Sequence, residues 1–278
     1  MRLIDLILNL AGLALWLNWL SIQFDPLAKT SAASLVGTLR KADPSGTRRW
    51  QPLAGLGALL LVRAVIYSQI NASIRWNPRL DLGVIILPFR GDSFRHMLVF
   101  SVLGFACTLA FFYLWLLLLS AVNSRVPDTD PIQKLVRLYF RWLDRWPNVL
   151  KLILPFFLGA LFWLLLHPLL AHLLITSKIK TGSQLIAQAA VMGGATYLTW
   201  KYLIVGILLL HLLNSYVYIG NHPFWNFVNA TASNLLRPLR WLPLRIGKVD
   251  LLPLLAVAMV FFLSELVTNS PRWIRLPF

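Results

Sequence analysis

From Met97 to Val122 the chain runs for 26 residues without a charged side chain. An α-helix rises about 1.5 Å per residue, so this run exceeds the roughly 20 residues that cross the hydrocarbon core of a bilayer. Inside lipid every backbone N–H and C=O must be bonded within the protein, which leaves helices and closed barrels as the spanning forms. Barrel strands read as short alternating segments of about ten residues, not as continuous apolar runs. Five more runs of this kind follow the same rule: Leu3–Ile22, Pro52–Ile70, Leu150–Ile175, Leu198–Ile219 and Leu251–Val267. Charged residues make up only 13% of the chain, against about a quarter in a soluble domain. The expected fold is therefore all-α and polytopic, with six transmembrane helices. Ser31-Ala32-Ala33 offers a small-residue cleavage site. Arg2 alone precedes Asp5, however, so the first run reads as an uncleaved span.

The net charge of +16 would suggest nucleic acid in a soluble protein. Here the basic residues cluster between apolar runs, with Trp and Tyr near the run ends, which is the pattern of membrane orientation and interfacial anchoring. Nucleic acid is not an expected direct partner. The side carrying both termini holds nine Lys and Arg, and the opposite side fifteen, with Arg63 and Lys201 left inside spans. The positive-inside rule then makes the fifteen-residue side cytoplasmic and puts both termini outside. The single Cys107 lies in an apolar run, which excludes a disulfide framework.

The three loops on the basic side repeat one plan. They open with Asp25-Pro26, Asp130-Pro131 and His222-Pro223. Each continues with a dozen residues of helical character, a basic centre at Arg40, Arg141 or Arg240, and a proline at the next span: Pro52, Pro155 and Pro253. The expected organisation is three parallel hairpin repeats: 1–70, an interfacial linker over 71–95, then 96–176 and 177–278. An even number of spans per repeat makes them parallel rather than inverted. The second loop helix, Pro131–Trp146, sets Lys134, Arg137, Arg141 and Arg145 in one stripe and aromatics including Trp142 in another. That is an interfacial helix favouring anionic lipid. The third, Pro223–Leu236, is nearly uncharged, with Phe224, Phe227, Val228 and Leu235 on one face and Asn226, Asn229, Ser233 and Asn234 mostly on the other. It suits a partner protein or a bundle interior as well as lipid. Between the second and third repeats, Gln184–Ile219 reads either as one helix too long for a perpendicular span or as two. Gly193-Gly194 is the expected break or kink between a surface helix and the true span.

In the third repeat Ser215-Tyr216, Pro238, Arg240, Pro243, Gly247, Asp250 and Pro253 occur in order. The set resembles the YggT/YlmG family of small integral membrane proteins. Lys248 stands where a second glycine is usual, and Leu252 where serine is usual. Pro238 lacks a preceding Thr-Asp. The second repeat is similar through Ser120, Asp130-Pro131, Arg141 and Pro155. The resemblance implies no enzymatic reaction. It implies roles in osmotic tolerance, cell division or the organisation of membranes or nucleoids, and in a plastid branch assistance with haem attachment to a cytochrome. Pro238, Arg240, Pro243, Asp250 and Pro253 are the expected architects of the loop. Asp250 is placed to cap the last span, and Pro253 falls in its first turn, where the missing N–H breaks no helix bond.

Charges within spans are functional candidates by default. Asp5 and Arg63 both fall in the half of the first repeat nearest the side of the termini, and Lys201 and Glu265 both fall near the same side in the third. Each pair reads as an ion pair joining two helices or as residues snorkelling to headgroups. Of the histidines, His96, His167 and His172 fall toward the side of the termini, the only arrangement that would suggest haem; polar caps are the plainer reading. No Ser/His/Asp signature, phosphate loop or metal-binding His/Glu motif is present. No cofactor is expected. The chain reads as a non-enzymatic inner-membrane scaffold or assembly factor whose cytoplasmic loop helices bind anionic lipid or a partner membrane protein. The alternatives are a transporter or channel component with a polar path through Asp5, Arg63, Lys201 and Glu265, and a haem-handling cytochrome assembly factor.

Overall fold

The computed structural model describes residues 2–24, 50–74, 77–91, 93–124, 146–176, 181–217, 222–242, 244–246 and 249–269. Helices dominate them: α1 (Arg2–Phe24), α2 (Gln51–Ile74), α3 (Phe94–Val122), α4 (Asn148–His172), α5 (Gly182–Ala195), α6 (Trp200–Tyr216), α7 (Pro223–Leu236) and α8 (Leu252–Asn269). A short strand pair, β1 (Arg79–Asp81) with β2 (Ile86–Pro88), occupies the expected interfacial linker. A second, β3 (Arg245–Ile246) with β4 (Val249–Asp250), precedes α8. The chain is an all-α polytopic membrane protein. Among the described residues Leu3–Ser21, Gln51–Ile70, Phe94–Val122, Asn148–His172 and Gly182–Tyr216 are long and apolar enough to cross a membrane, and Leu252–Val267 is a shorter apolar helix. The sixth expected span is thus a helix of reduced length. A short span is accommodated by local thinning of the bilayer or by snorkelling flanks.

Two compact units divide the chain: Met1–Leu80 with Pro88–Ala110, and Asp81–Leu87 with Phe111–Phe278. In the first, α1 packs along α2. Gly12 admits the ring of Phe105, for a Cβ there would stand 2.9 Å from it. The burial order of α2 is the reverse of a soluble helix. Arg63 is 2% exposed and Tyr67 1%, while Leu61, Val62 and Ile66 are each about half exposed, at 51%, 55% and 48%. Apolar side chains outward and a guanidinium inward are stable only where the surroundings are hydrocarbon.

In the second unit α4 lies closely against α5, and α6 packs on both α7 and α8. The contact of α4 with α5 is made by two glycines. A Cβ on Gly193 would stand 2.6 Å from the Phe156 carbonyl oxygen, and one on Gly159 would collide with the Thr196 methyl and stand 3.1 Å from the Met192 carbonyl. Small residues at such a crossing let backbones approach where lipid supplies no hydrophobic drive between helices. Gly193-Gly194 therefore does not break the helix, as the sequence suggested. The chain stays helical from Gly182 to Tyr216, 35 residues, and tightens into a 3₁₀ stretch at Thr196–Thr199. There the Thr196 hydroxyl donates to the Gly193 carbonyl (2.6 Å) and Thr199 to the Thr196 carbonyl (2.7 Å). Such bonding back into the preceding turn competes with the α-helical ladder. Ile207 and Leu208 of α6, Val228, Ala232 and Leu236 of α7, and Leu252 and Ala256 of α8 form one apolar core.

Candidate functional site

The polar side chains of the first unit converge on Arg63. Its Nη2 donates to Asp5 Oδ1 at 2.9 Å, and Nη1 donates to Asn9 Oδ1 at 2.7 Å. Tyr67 Oη also donates to Asp5. The guanidinium carbon lies 5.4 Å from the Tyr67 ring and 5.6 Å from the Phe100 ring. A buried cation needs an ion, hydrogen bonds and aromatic faces together to offset its desolvation. All three are supplied here by residues of α1, α2 and α3, so the cluster ties the unit together.

The second intramembrane cation is placed differently. Lys201 Nζ donates to Ser264 Oγ of α8 at 3.1 Å and lies 5.0 Å from the Tyr202 ring. Among the described residues its polar partner is Ser264, not the expected Glu265. Consecutive helical positions point about 100° apart. Ser264 is buried toward α6, while Glu265 is turned to an exposed face.

At the other end of the second unit a polar network joins three elements. Asn123, in the turn that closes α3, donates from Nδ2 to Thr231 Oγ1 (2.8 Å) and accepts at Oδ1 from Asn234 Nδ2 (3.1 Å). Thr231 in turn donates to the Phe227 carbonyl (2.8 Å). His211 Nδ1 of α6 is 2.8 Å from Asn229 Oδ1, which makes it the donor because the amide oxygen accepts. Lys151, 2% exposed in the first turn of α4, donates to Ser120 Oγ at 2.9 Å. Asn229, Thr231 and Asn234 of α7 therefore point inward, to α6 and the end of α3, while Asn226 is exposed, and the helix is a fixed part of the bundle.

His222 begins α7 as its N-cap, its ring accepting from the Phe224 N–H (3.2 Å), with Pro223 as the first helical residue. This is the boundary the sequence indicated, and it follows from proline's fixed φ and absent N–H. Pro238 lies in a 3₁₀ turn, Arg237–Leu239, that ends α7. Arg240 is exposed and donates back to Ser233 Oγ. Trp241 is 77% exposed.

Asp250 does not occupy the cap position of α8, which begins at Leu252. It is in β4, paired across the ladder with Arg245, and the first helix bond runs from the Leu255 N–H to the Leu251 carbonyl. The strand pair places the chain reversal ahead of the helix, so the cap position falls on Leu251. Pro253 is in the first turn, as expected.

Lys134, Arg137, Arg141, Trp142 and Arg145 lie outside the described residues, as do Pro243 and the first loop helix, Leu27–Leu39. Of the remaining histidines, His96 is in the first turn of α3, His167 is buried against Trp163 with ring centres 5.8 Å apart, and His172 ends α4. Among the described residues no three His, Cys, Asp or Glu side chains cluster as metal ligands would. The inward network on Asn123 was missed by sequence reasoning. Its signal was an asparagine directly after an apolar run, together with a polar stripe on Pro223–Leu236 whose partners the sequence does not name.

Residues 191–270 match the family model described as CCB3/YggT. The matched segment begins in α5 and takes in α6, α7 and α8. No curated protein and no solved structure matches the chain.

Proposed function

We propose, from the premise that residues 191–270 form a CCB3/YggT-type unit, that the chain is a non-enzymatic integral membrane scaffold or assembly factor. It is built of three hairpin repeats in the inner membrane, with its basic loops cytoplasmic and both termini outside. The loops hold anionic lipid or a partner membrane protein. The observation that carries this reading is the immobilisation of α7. Its polar residues Asn229, Thr231 and Asn234 are bonded to α6 and to the end of α3. The helix then delivers Arg237, Arg240 and Trp241 to the surface. A rigid element ending in exposed cations and an indole is suited to docking at the membrane interface. In the second loop Lys134, Arg137, Arg141, Arg145 and Trp142 extend the same chemistry.

The polar material inside the spans is consistent with this role. Asp5 and Arg63 tie helices of one unit together, and Lys201 bonds Ser264 within the other. The test is a photoreactive residue at Trp241 in the full chain, crosslinked in native membranes and mapped by mass spectrometry. The expected products are a discrete membrane-protein adduct or an anionic-lipid adduct, reduced when Arg237 and Arg240 are both changed to Ala. Solute or ion flux through reconstituted liposomes that disappears on Glu265→Gln would overturn the scaffold reading in favour of transport.

A further inference from the structure

A groove of about 740 Å³ runs along the second unit between the continuous α5–α6 helix and α8. Val191, Leu198, Ile204, Val260 and Val267 are among the residues that wall it, and Lys201 and Ser264 are set into it. Every lining residue belongs to the second unit. The walls are branched aliphatic side chains on helices of membrane-spanning composition, so the natural filling is hydrocarbon.

The cation decides which hydrocarbon. An ammonium carries three donors and strongly prefers a full counter-charge when taken out of water. Among the described residues Lys201 has a hydroxyl and a ring face, and no carboxylate. Its depth is also suitable. Ser264 is five residues from the end of α8, about 8 Å along the axis. A lysine at that depth reaches headgroup phosphates while its stem remains among acyl chains. Val84, from the loop between β1 and β2, also borders the groove. Finally, Gly194 lines the groove, and a Cβ built there would meet nothing within 4 Å. Gly193, beside it, is packed tight. The adjacent glycines thus serve different surfaces: one joins α5 to α4, and the other leaves the groove open.

The geometry points to a bound anionic phospholipid, its phosphate on Lys201 and Ser264 and an acyl chain along Ile204 and Val260. The site is separate from the basic loops of the proposed function and belongs to the leaflet at the opposite ends of the helices. It does not depend on the scaffold reading.

The experiment uses the full chain in bicelles with photoactivatable phosphatidylglycerol or phosphatidylcholine, each carrying a diazirine on the acyl chain, and maps labelled peptides. Phosphatidylglycerol is expected to label 191–204 and 260–267 about fivefold more than phosphatidylcholine, the preference one interfacial lysine provides. K201M should bring the two lipids level, and K201R should keep the preference. G194L, which fills open space, should lower labelling by both. Equal labelling by the two headgroups in the unaltered protein, or an unchanged preference in K201M, would overturn the assignment. So would complete competition by inorganic phosphate, which would identify a plain anion site. A K201M protein that no longer elutes as a folded species is replaced by G194L, whose labelling must then fall. Labelling of 131–146 in the same map reports the cytoplasmic loop separately, so failure of one site is not mistaken for failure of the other.

Discussion

The two adjacent glycines of α5 allow the packing argument to be tested with a single methyl group. In Gly193→Ala the new Cβ would sit 2.6 Å from the Phe156 carbonyl oxygen and 3.0 Å from the Phe156 ring. Ordinary contact begins at 3.4 Å, so α4 and α5 must part locally by 3.4 − 2.6, or about 0.8 Å, unless the backbone bends. A gap of 0.5–1 Å forfeits about a quarter to a half of the dispersion energy of each facing atom pair. Overpacking of this kind costs about 1–3 kcal/mol. The gain in helix propensity from Gly to Ala offsets at most about 1 kcal/mol. The expected net loss is about 1–2 kcal/mol, a shift of roughly 5- to 30-fold in the folded-to-unfolded ratio. Gly194→Ala meets nothing within 4 Å and should be neutral or slightly stabilising. The assay is reversible unfolding of the purified chain in mixed detergent micelles, followed by circular dichroism and Trp fluorescence. Had the pair acted as a helix break, both substitutions would act alike by rigidifying the segment. Equal effects from the two variants would therefore refute the close-approach reading.

Asp5→Asn should destabilise the first unit by about 2–4 kcal/mol. Loss of one partner from a buried pair costs about 3–5 kcal/mol, lessened here because Asp5 is itself 21% exposed. In the same unfolding assay the double change with Arg63→Met should recover much of the loss; a strictly additive double variant would mean the pair is not coupled. Asn123→Leu removes the partner of Thr231 and Asn234 and should cost about 1–3 kcal/mol, with faster hydrogen exchange across 223–236 than in the parent. Unchanged exchange there would show that α7 is held by its apolar face alone. Trp241→Ala should leave unfolding within about 0.5 kcal/mol of the parent, since the indole is exposed. In membranes it should weaken association of the loop, read as greater accessibility of a reporter cysteine at residue 241's neighbour Leu242; an unchanged accessibility would remove Trp241 from the docking surface.

Some elements were legible because their causes are local. The α7 boundaries follow from His222-Pro223 at one end and Arg237-Pro238 at the other. The approach of Asp5 to Arg63 follows from hairpin geometry applied to two charges in otherwise apolar runs. The start of α8 was not legible, because a short strand ladder ends on Asp250 and the helix begins two residues later. The loop between β1 and β2 was hidden in the same way. Strand pairs this short leave no periodicity to read. The bond of Lys201 to Ser264 was not legible, because Ser264 and Glu265 differ by one residue in sequence and about 100° in space, and only packing selects between them.

The sequence by itself determined the solvent of this protein. Uninterrupted apolar length requires a membrane, and hydrocarbon requires helices, whatever the tertiary arrangement. The ordered prolines, Arg240 and Gly247 likewise marked the segment that matches the CCB3/YggT model before any fold was seen. Tertiary structure decided what the polar residues inside those helices do. Arg63 bonds Asp5 and Asn9 within its unit, Asn123 fixes α7, and Lys201 is left facing a groove. Which partner a buried polar group meets depends on residues as many as 111 positions apart, as with Asn123 and Asn234. No local pattern encodes a distance of that kind; it is set by how helices of nearly uniform greasiness choose their faces, and they choose by their few polar and smallest side chains.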